Sequence, residues 1–298
     1  MASELLKRSE VKEENTWNVK DMYATQEDWE QELKDISEII DRVAAFEGKA
    51  AGNAQNLFTV LENLAKAGEK LDKAYNYAER LFDEDQTNTT HQAMSAKAYS
   101  AYASCGSKTA FVDPEIIAIP ENVLETFYKE VPGLELYRKQ IAEIRRMKEH
   151  CLSSEMEKLL AMTAEMSQTP ADTFSILNNA DLVFPEIKDE NGESVRITHG
   201  RYGQFLQSSD RRVRKEAFEK LYQTYKQFLN TSASLYGGNI KQQVFHAKAR
   251  KYVSSLECAV DANHVSSSVY HNLIDTVNKN LDKMHHYVSL RKKCLGLD

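Results

Sequence analysis

The sequence predicts a mainly helical, all-α protein: a multi-helix lobe plus one β-hairpin element near residues 182–197. Only 5 Pro and 11 Gly occur among 298 residues, well below the usual shares of about 5% and 7%, so long regular elements with few turns are expected. Apolar residues also recur at the helical period along most of the chain. The exception is residues 182–197, where β-prone residues flank an Asn-Gly pair.

Two helices are predicted before residue 85. Thr25 is a suitable N-cap for the first, and Asp28 is spaced to reach back as in a capping box. Its predicted buried face is Trp29, Leu33, Ile36, Ile40 and Val43, and Gly48 and Gly52 follow its end. The second helix is expected to bury a stripe formed by Leu57, Leu61, Leu64, Leu71, Tyr75, Ala78 and Leu81.

The middle of the chain reads as a helix of small residues followed by shorter helices. Breaks are expected at Pro114, Pro120 and Pro132, because proline suits a loop or a first helical turn. Ser153 or Ser154, with a glutamate three residues later, then predicts a new helix start.

The hairpin is predicted from Phe184, Ile187, Val195 and Ile197, which flank the letters DENG. A two-stranded hairpin alone is marginally stable in water, so it must pack against helices. Beyond it, Ser209 or Asp210 is predicted to begin a long helix that carries Val213, Ala217, Leu221, Tyr225 and Phe228 on one face. The letters SSVYHNLIDTVNKNLDKMHHYVSLRKKCLGLD predict one last helix.

Charge and composition narrow the function classes. The net charge of −7 argues against nucleic acid as a partner, because phosphate contacts need clustered Lys and Arg. The short basic runs are expected to be solvated helix faces; they are Arg145, Arg146 and Lys148, and Arg211, Arg212, Arg214 and Lys215. No stretch approaches the roughly 18 apolar residues of a membrane span, and no signal peptide is recognised. Four scattered cysteines indicate free thiols, so a cytoplasmic location is predicted.

No catalytic or metal-ligating residue is predicted within residues 1–298. The zinc motif HExxH is absent, because none of the eight histidines is followed by Glu. His264 and His271 would lie on one helix face about 10.5 Å apart, too far for one metal ion. The adjacent His285 and His286 would point about 100° apart, one inward and one to solvent.

Other chemistry-bearing residues leave alternatives open. The sequence has no GxSxG, P-loop or GxGxxG motif. The acidic runs Asp83, Glu84, Asp85 and Asp189, Glu190 are expected to be solvated turns. His199, at the end of the hairpin, either contacts a ligand or another domain, or bonds its own backbone. The tyrosines after the hairpin either line a peptide groove or pack in the core; they are Tyr202, Tyr222, Tyr225, Tyr236, Tyr252 and Tyr270.

The stretch NNADLVFPEIKDENGESVRITHGRYGQFLQSSDRRVRKEAFEKLYQTYKQFLNTSA resembles the start of the peptidase region of oligoendopeptidase F, a bacterial branch of the thimet-oligopeptidase-like metallopeptidases. TWNVKDMYATQEDWEQEL, LSSEMEKLLAMTAEMSQTPADTFSIL and VYHNLIDTVNKNLDKMHHYVSLRKKCLGLD also resemble that family. The resemblance implies two helical lobes around a channel in which one zinc ion hydrolyses short peptides. Residues 1–181 would be the N-terminal helical lobe, and 182–298 the incomplete beginning of the peptidase region.

In the family, the zinc ligands are the two histidines of HExxH and a later glutamate, and the motif's own glutamate acts as general base. The resemblance places all of them beyond LRKKCLGLD, so none falls on this chain. The expected function is therefore the channel-forming N-terminal portion of a zinc-dependent oligoendopeptidase, inactive by itself. The apolar faces of helices after Thr198 would then be partly exposed, and self-association is expected. The alternatives are a non-catalytic helical module that binds peptides or a partner, or a purely structural helical protein.

Overall fold

The computed structural model describes residue 6 and residues 8–297, and most of them are helical. The helices are α1 Gln26–Ala44, α2 Ala54–Glu84, α3 Thr89–Thr109, α4 Val112–Ala118, α5 Glu121–Glu130, α6 Arg138–Arg146, α7 Ser154–Met162, α8 Ala164–Ile176, α9 His199–Leu206, α10 Arg211–Gln227, α11 Leu229–Ala249, α12 Ser255–Asp261, α13 Ser267–Lys279 and α14 Leu281–Cys294. The strands β1 Glu186–Lys188 and β2 Ser194–Arg196 form an antiparallel pair. The predicted fold class is confirmed.

Helices α1, α2 and α3 share one hydrophobic cluster. The predicted capping box is present, since Thr25 Oγ1 accepts from Asp28 N and the Asp28 carboxylate accepts from Thr25 N. The predicted buried face of α1 is confirmed, and Trp29 Nε1 donates to the carbonyl oxygen of Ala74 at 2.9 Å. The stripe predicted for α2 is buried in part: its fully buried members are Leu57, Leu61, Leu71 and Ala78, while Leu64, Tyr75 and Leu81 are half-buried.

Helices α2, α4, α5 and α6 enclose a second cluster, which is centred on Leu57, Ile116, Leu134 and Ile141. Arg145 lies at the edge of this cluster. Its guanidinium donates to the carbonyl oxygen of Ile119 and pairs with Glu121 at 2.8 Å. The expectation that Arg145 belongs to a solvated face is therefore wrong. The carbonyl groups at the end of α4 lack helical partners, and this side chain supplies one.

Helices α7 and α8 lead to the hairpin. Ser153 lies at the predicted N-cap of α7, but its side chain makes no capping hydrogen bond. The buried Glu157 accepts from Leu152 N at 2.9 Å instead. After α8 the chain widens into a single π-helical turn, Leu177–Asp181, closed by the bond from Leu182 N to Leu177 O at 3.0 Å.

The hairpin is held by the register Ile187↔Val195 and by an ordered turn. Asp189 O accepts from Gly192 N, and Asp189 Oδ1 accepts from Asn191 N and Glu193 N. Gly192 has φ +82°, a conformation that glycine adopts without strain. The four apolar residues predicted to face inward are all buried, and Phe184, Ile187 and Ile197 pack on Val213, Ala217 and Leu221 of α10.

The chain divides into two compact units, residues 1–240 and 241–298, and the division falls within α11. In the second unit the buried Tyr252 donates to Asp261 Oδ2 at 2.7 Å. The single last helix predicted there is wrong, because Asn280 leaves the helical conformation and separates α13 from α14. Neither helix has a buried residue within the described part of the chain, so the exposed apolar faces expected after Thr198 are present.

Two histidine predictions in this unit are wrong. His264 has φ +54° and precedes α13, so it does not share a helix face with His271. His285 and His286 are both exposed, because α14 buries neither side. Across the described residues, no helix has the length and apolar character needed to cross a membrane.

Candidate functional site

A cleft of about 580 Å³ lies between the start of the hairpin and the second half of α10. Its lining on the hairpin side is Asp181, Val183, Phe184, Pro185, Glu186 and Arg196, and on the side of α10 and the residue after it Lys220, Gln223, Thr224, Gln227 and Phe228. A volume of this size lies within the range of small-molecule pockets, which measure about 300–1,000 Å³.

The π-helical turn before the hairpin positions one wall of this region. Asn178, within that turn, accepts a hydrogen bond from the Tyr225 hydroxyl at its Oδ1, 2.7 Å away. Its carbonyl oxygen lies 3.3 Å from His199 Nε2. The His199 ring in turn packs edge-on against Phe184, with centroids 5.1 Å apart. The turn, hairpin and α10 are therefore joined by hydrogen bonds and ring contacts, as expected of a preorganised wall.

The contact of His199 bears on both sequence alternatives, because Asn178 lies in residues 1–181, the segment that the sequence assigns to the other domain. Its hydrogen-bond partner is the backbone of the segment before the hairpin, 21 residues earlier in the chain, rather than its own. Contact of His199 with a ligand stays a prediction. Residues 178 and 199 are 21 positions apart, and no sequence pattern links them. Their contact could therefore not be predicted without the structure of the hairpin between them.

Arg212 secures the turn of the hairpin to α10. Its guanidinium donates to Lys188 O at 2.9 Å and to Asp189 O at 2.8 Å, and it pairs with Asp210 at 3.1 Å. The expectation that Arg212 is only part of a solvated face is wrong, because two carbonyl oxygens of the hairpin depend on it. Asp210 itself is the N-cap of α10, one of the two positions, Ser209 or Asp210, that the sequence predicted.

Two cations of the cleft have no carboxylate partner in the described part of the chain. Glu186 lies directly opposite Arg196 in the hairpin, but its Oε2 accepts from Ser194 Oγ at 2.6 Å. No ion pair joins Arg196 or Lys220 to any described residue. Arg196 and Lys220 can therefore attract an anionic group without first breaking a pair.

A row of aromatic rings runs from the exposed Phe218 and Tyr222 of α10 to the half-buried Tyr225 and the buried Phe184. The ring centroids of Phe218 and Tyr222 lie 4.7 Å apart, those of Tyr222 and Tyr225 6.5 Å apart, and those of Tyr225 and Phe184 5.7 Å apart. Burial raises the pKa of Tyr225, so its hydroxyl stays protonated and donates to Asn178. Of the candidate tyrosines, Tyr252 is buried, Tyr202 and Tyr225 are half-buried, and Tyr222, Tyr236 and Tyr270 are exposed. A groove-lining role for the tyrosines stays a prediction.

The acidic runs serve local structure. Asp83 and Glu84 lie in the last turn of α2, not in a loop as expected, and pair with Arg80 at 3.1 Å and Arg8 at 2.6 Å. Glu190 accepts from the Ser208 hydroxyl.

Among residue 6 and residues 8–297, no three His, Cys, Asp or Glu side chains come together as a metal site would require. The four cysteines are free.

Two family models match this chain. The model described as Oligopeptidase F matches residues 115–184, and the model described as Peptidase family M3 matches residues 204–298. The two matches lie on either side of the hairpin, and the second covers the whole of α10.

Known proteins resemble the chain over its whole length. It is 41% identical to "Oligopeptidase PepF" of Bacillus subtilis over 297 aligned residues. The alignment covers 100% of this chain and 44% of that protein. It is 38% identical over 291 residues to "Group B oligopeptidase PepB" of Streptococcus agalactiae, covering 98% and 48% respectively. The crystal structure of oligoendopeptidase-F from Enterococcus faecium superposes with a TM-score of 0.87 at 39% identity, over 91% of this chain and 52% of that one. The chain thus spans about half the length of the relatives it matches.

Proposed function

Because the chain belongs to the oligoendopeptidase F family within peptidase family M3, we propose that it is the channel-forming part of a zinc-dependent oligoendopeptidase that hydrolyses short peptides. The observation that carries the proposal is the 41% identity to an oligopeptidase across the full 297 aligned residues. The relatives are named as oligopeptidases or oligoendopeptidases, and the proposal extends that activity to the whole protein of which this chain would be a part.

We further propose that residues 1–181 form the N-terminal lobe and residues 182–298 begin the peptidase region. Support comes from the two family models, which end at residue 184 and begin again at residue 204. The hairpin lies between those matches and packs on α10 through Phe184, Ile187 and Ile197. A rigid element at this point would hold the start of the peptidase region in a constant position.

The described residues do not fit a zinc site. HExxH is absent from the sequence, and no group of three suitable ligands is found among residue 6 and residues 8–297. No step of the reaction is therefore assigned to a residue of this chain. In the proposal, the zinc ion and the general base belong to the part of the relatives' length that this chain does not span.

The contribution of this chain would be to admit and hold peptides. The cleft beside the hairpin offers unpaired cations and apolar ring surface next to an exposed strand edge. Extended peptides are commonly bound by such a combination of main-chain hydrogen bonds and side-chain pockets. Positioning of this kind lowers the entropy cost of reaction without any chemical role for the side chains.

Hydrolysis of an internally quenched oligopeptide tests the proposed function. The full-length protein that carries this chain is expected to cleave it, and a zinc chelator is expected to abolish cleavage. The 298-residue chain by itself is expected to be inactive in the same assay. If the full-length protein binds peptides without cleaving them, it is a binding module and not an enzyme. Chelator-sensitive cleavage by the 298-residue chain would show that the chain holds a metal site, which contradicts the proposal.

A further inference from the structure

We propose that the cleft between β1 and α10 binds the C-terminal end of an extended peptide, whose terminal carboxylate lies between Arg196 and Lys220. The proposal rests on the proposed function, because it takes peptides as the ligands of this protein. It assigns to the cleft a preference for a free C-terminus that neither the fold nor the relatives' names state.

The strand edge supplies main-chain hydrogen bonds. Ile197 N donates to Pro185 O at 3.0 Å, and Asp189 N donates to Glu193 O at 2.9 Å. In an antiparallel ladder, bonded and non-bonded pairs alternate, so the N–H and C=O of Glu186 point away from β2. Glu186 lines the cleft. A peptide lying along this edge can therefore pair with Glu186 as a short third strand.

The two cations supply the group that selects a carboxylate. Arg196 would ordinarily pair with Glu186 across the hairpin, since opposite charges at directly facing positions attract. In the structure the Glu186 carboxylate instead accepts from Ser194 Oγ, and no ion pair joins it to Arg196, so the guanidinium is available. Lys220 approaches the same cleft from α10. Charge-assisted hydrogen bonds of this kind are stronger than neutral ones, and a guanidinium matches a planar carboxylate.

The remaining lining explains why the ligand is a peptide rather than a highly charged anion. Asp181 and Glu186 balance the two cations, so the formal charge of the lining is zero. A ligand with two or more negative charges, such as a phosphate ester, would meet repulsion from these carboxylates. A peptide with one terminal carboxylate and otherwise neutral amides can bind the two cations with less repulsion from Asp181 and Glu186. Phe184 and Phe228 provide apolar surface for its side chains.

Binding of a matched peptide pair to the 298-residue chain tests the proposal. The two peptides carry an N-terminal fluorescent label and the same neutral sequence, and they differ only in a free or an amidated C-terminus. Anisotropy titrations at low salt are expected to give about tenfold tighter binding of the free acid, since the uncharged amide cannot form charge-assisted hydrogen bonds with Arg196 and Lys220. This preference is expected to shrink as salt rises, because the cations are partly exposed.

Substitutions in the cleft identify the source of the preference. Lys220→Gln and Arg196→Gln are each expected to bring the acid and amide peptides to within about twofold of each other. Lys226→Gln removes the same charge from α10 outside the cleft and is expected to keep the full preference. Equal binding of acid and amide by the unmodified chain, binding of neither, or loss of the preference in Lys226→Gln would each overturn the proposal.

Peptide cleavage by the full-length protein separates the two proposals. If the quenched peptide is cleaved but the chain shows no acid preference, the cleft assignment is wrong and the proposed function stands. If the acid preference holds but no peptide is cleaved, the cleft binds peptides and the proposed function is wrong.

Discussion

At the residue scale, single side chains hold distant parts of the backbone together. The Glu115 carboxylate accepts from Gly48 N at 2.6 Å and from Ala51 N at 3.3 Å, which fixes the turn between α1 and α2. Arg145 and Arg212 do the same for the end of α4 and for the hairpin. Such residues look like solvated charges in the sequence, because the backbone groups that they satisfy lie 23 or more residues away.

Tyr23, in contrast, has a buried hydroxyl group without a hydrogen-bond partner among the described residues. Its side chain is 7% exposed, and no described residue offers its hydroxyl a hydrogen bond. Burial, with a smaller effect of Glu32, raises the pKa of Tyr23 to about 12. The folded state therefore keeps this proton while the unfolded state releases it near pH 10. Tyr23 contributes stability below pH 10 that is lost as the pH rises from about 10 to 12.

Tyr23→Phe is expected to leave the free energy of unfolding at pH 7 unchanged or raise it by about 1 kcal/mol, because an unpaired buried hydroxyl is removed. The loss of stability between pH 10 and 12 should also become smaller. Urea unfolding followed by circular dichroism measures both. Tyr137→Phe is the matched control: it removes a hydroxyl that donates to Glu62 and should lower stability by about 1 kcal/mol at pH 7. Equal destabilisation by both substitutions would contradict this account of Tyr23.

At the scale of the elements, the hairpin depends on its neighbours. Its strands have three residues each, too few for independent stability, and its apolar side packs on α10. The Asn-Gly pair predicts the turn because Gly192 adopts φ +82°. The hydrogen bonds from Arg212 of α10 to the hairpin could not be predicted from the sequence. Arg211 and Arg212 are neighbours of the same residue type, and only the position of the folded hairpin distinguishes them.

Arg212→Ala is expected to loosen the hairpin by about 1 kcal/mol, because two carbonyl oxygens lose their donor. Hydrogen exchange at the amides of Ile187 and Val195 should become faster, while exchange in α1 and α2 stays unchanged. Arg211→Ala removes the same charge one position earlier and should leave exchange in the hairpin unaltered. Similar acceleration in both variants would mean that net charge, and not the two bonds to Lys188 and Asp189, stabilises the turn.

At the scale of the whole molecule, apolar surface is distributed unevenly. Helices α13 and α14 carry exposed large apolar side chains along their length: Val269, Tyr270, Leu273, Ile274, Val277, Leu281, Met284, Tyr287, Val288 and Leu290. Exposed apolar surface of this kind usually marks an interface. In the proposed whole protein, the part of the relatives that this chain does not span would cover these helices.

The 298-residue chain is expected to self-associate at micromolar concentration, because burying these side chains removes apolar area from water. Light scattering should therefore report a mass above the 34.0 kDa of one chain. The double substitution Leu273→Lys, Leu290→Lys should shift the chain toward the monomer. Leu136→Lys, at an isolated position that is 83% exposed, should not. A monodisperse monomer of the unmodified chain would contradict the prediction.

The sequence by itself determined the helical class, the capping box at Thr25, the α10 start at Ser209 or Asp210 and the hairpin at Asn191-Gly192. These features depend on residues within a few positions of each other, where periodicity, caps and turn residues act. Tertiary structure decided the Asn178–His199–Tyr225 contacts, the use of Arg145 and Arg212, and the cleft with Arg196 and Lys220 unpaired. Each of these depends on which distant segments pack together, and hydrogen bonds to backbone carbonyls many residues away leave no periodic trace in the sequence.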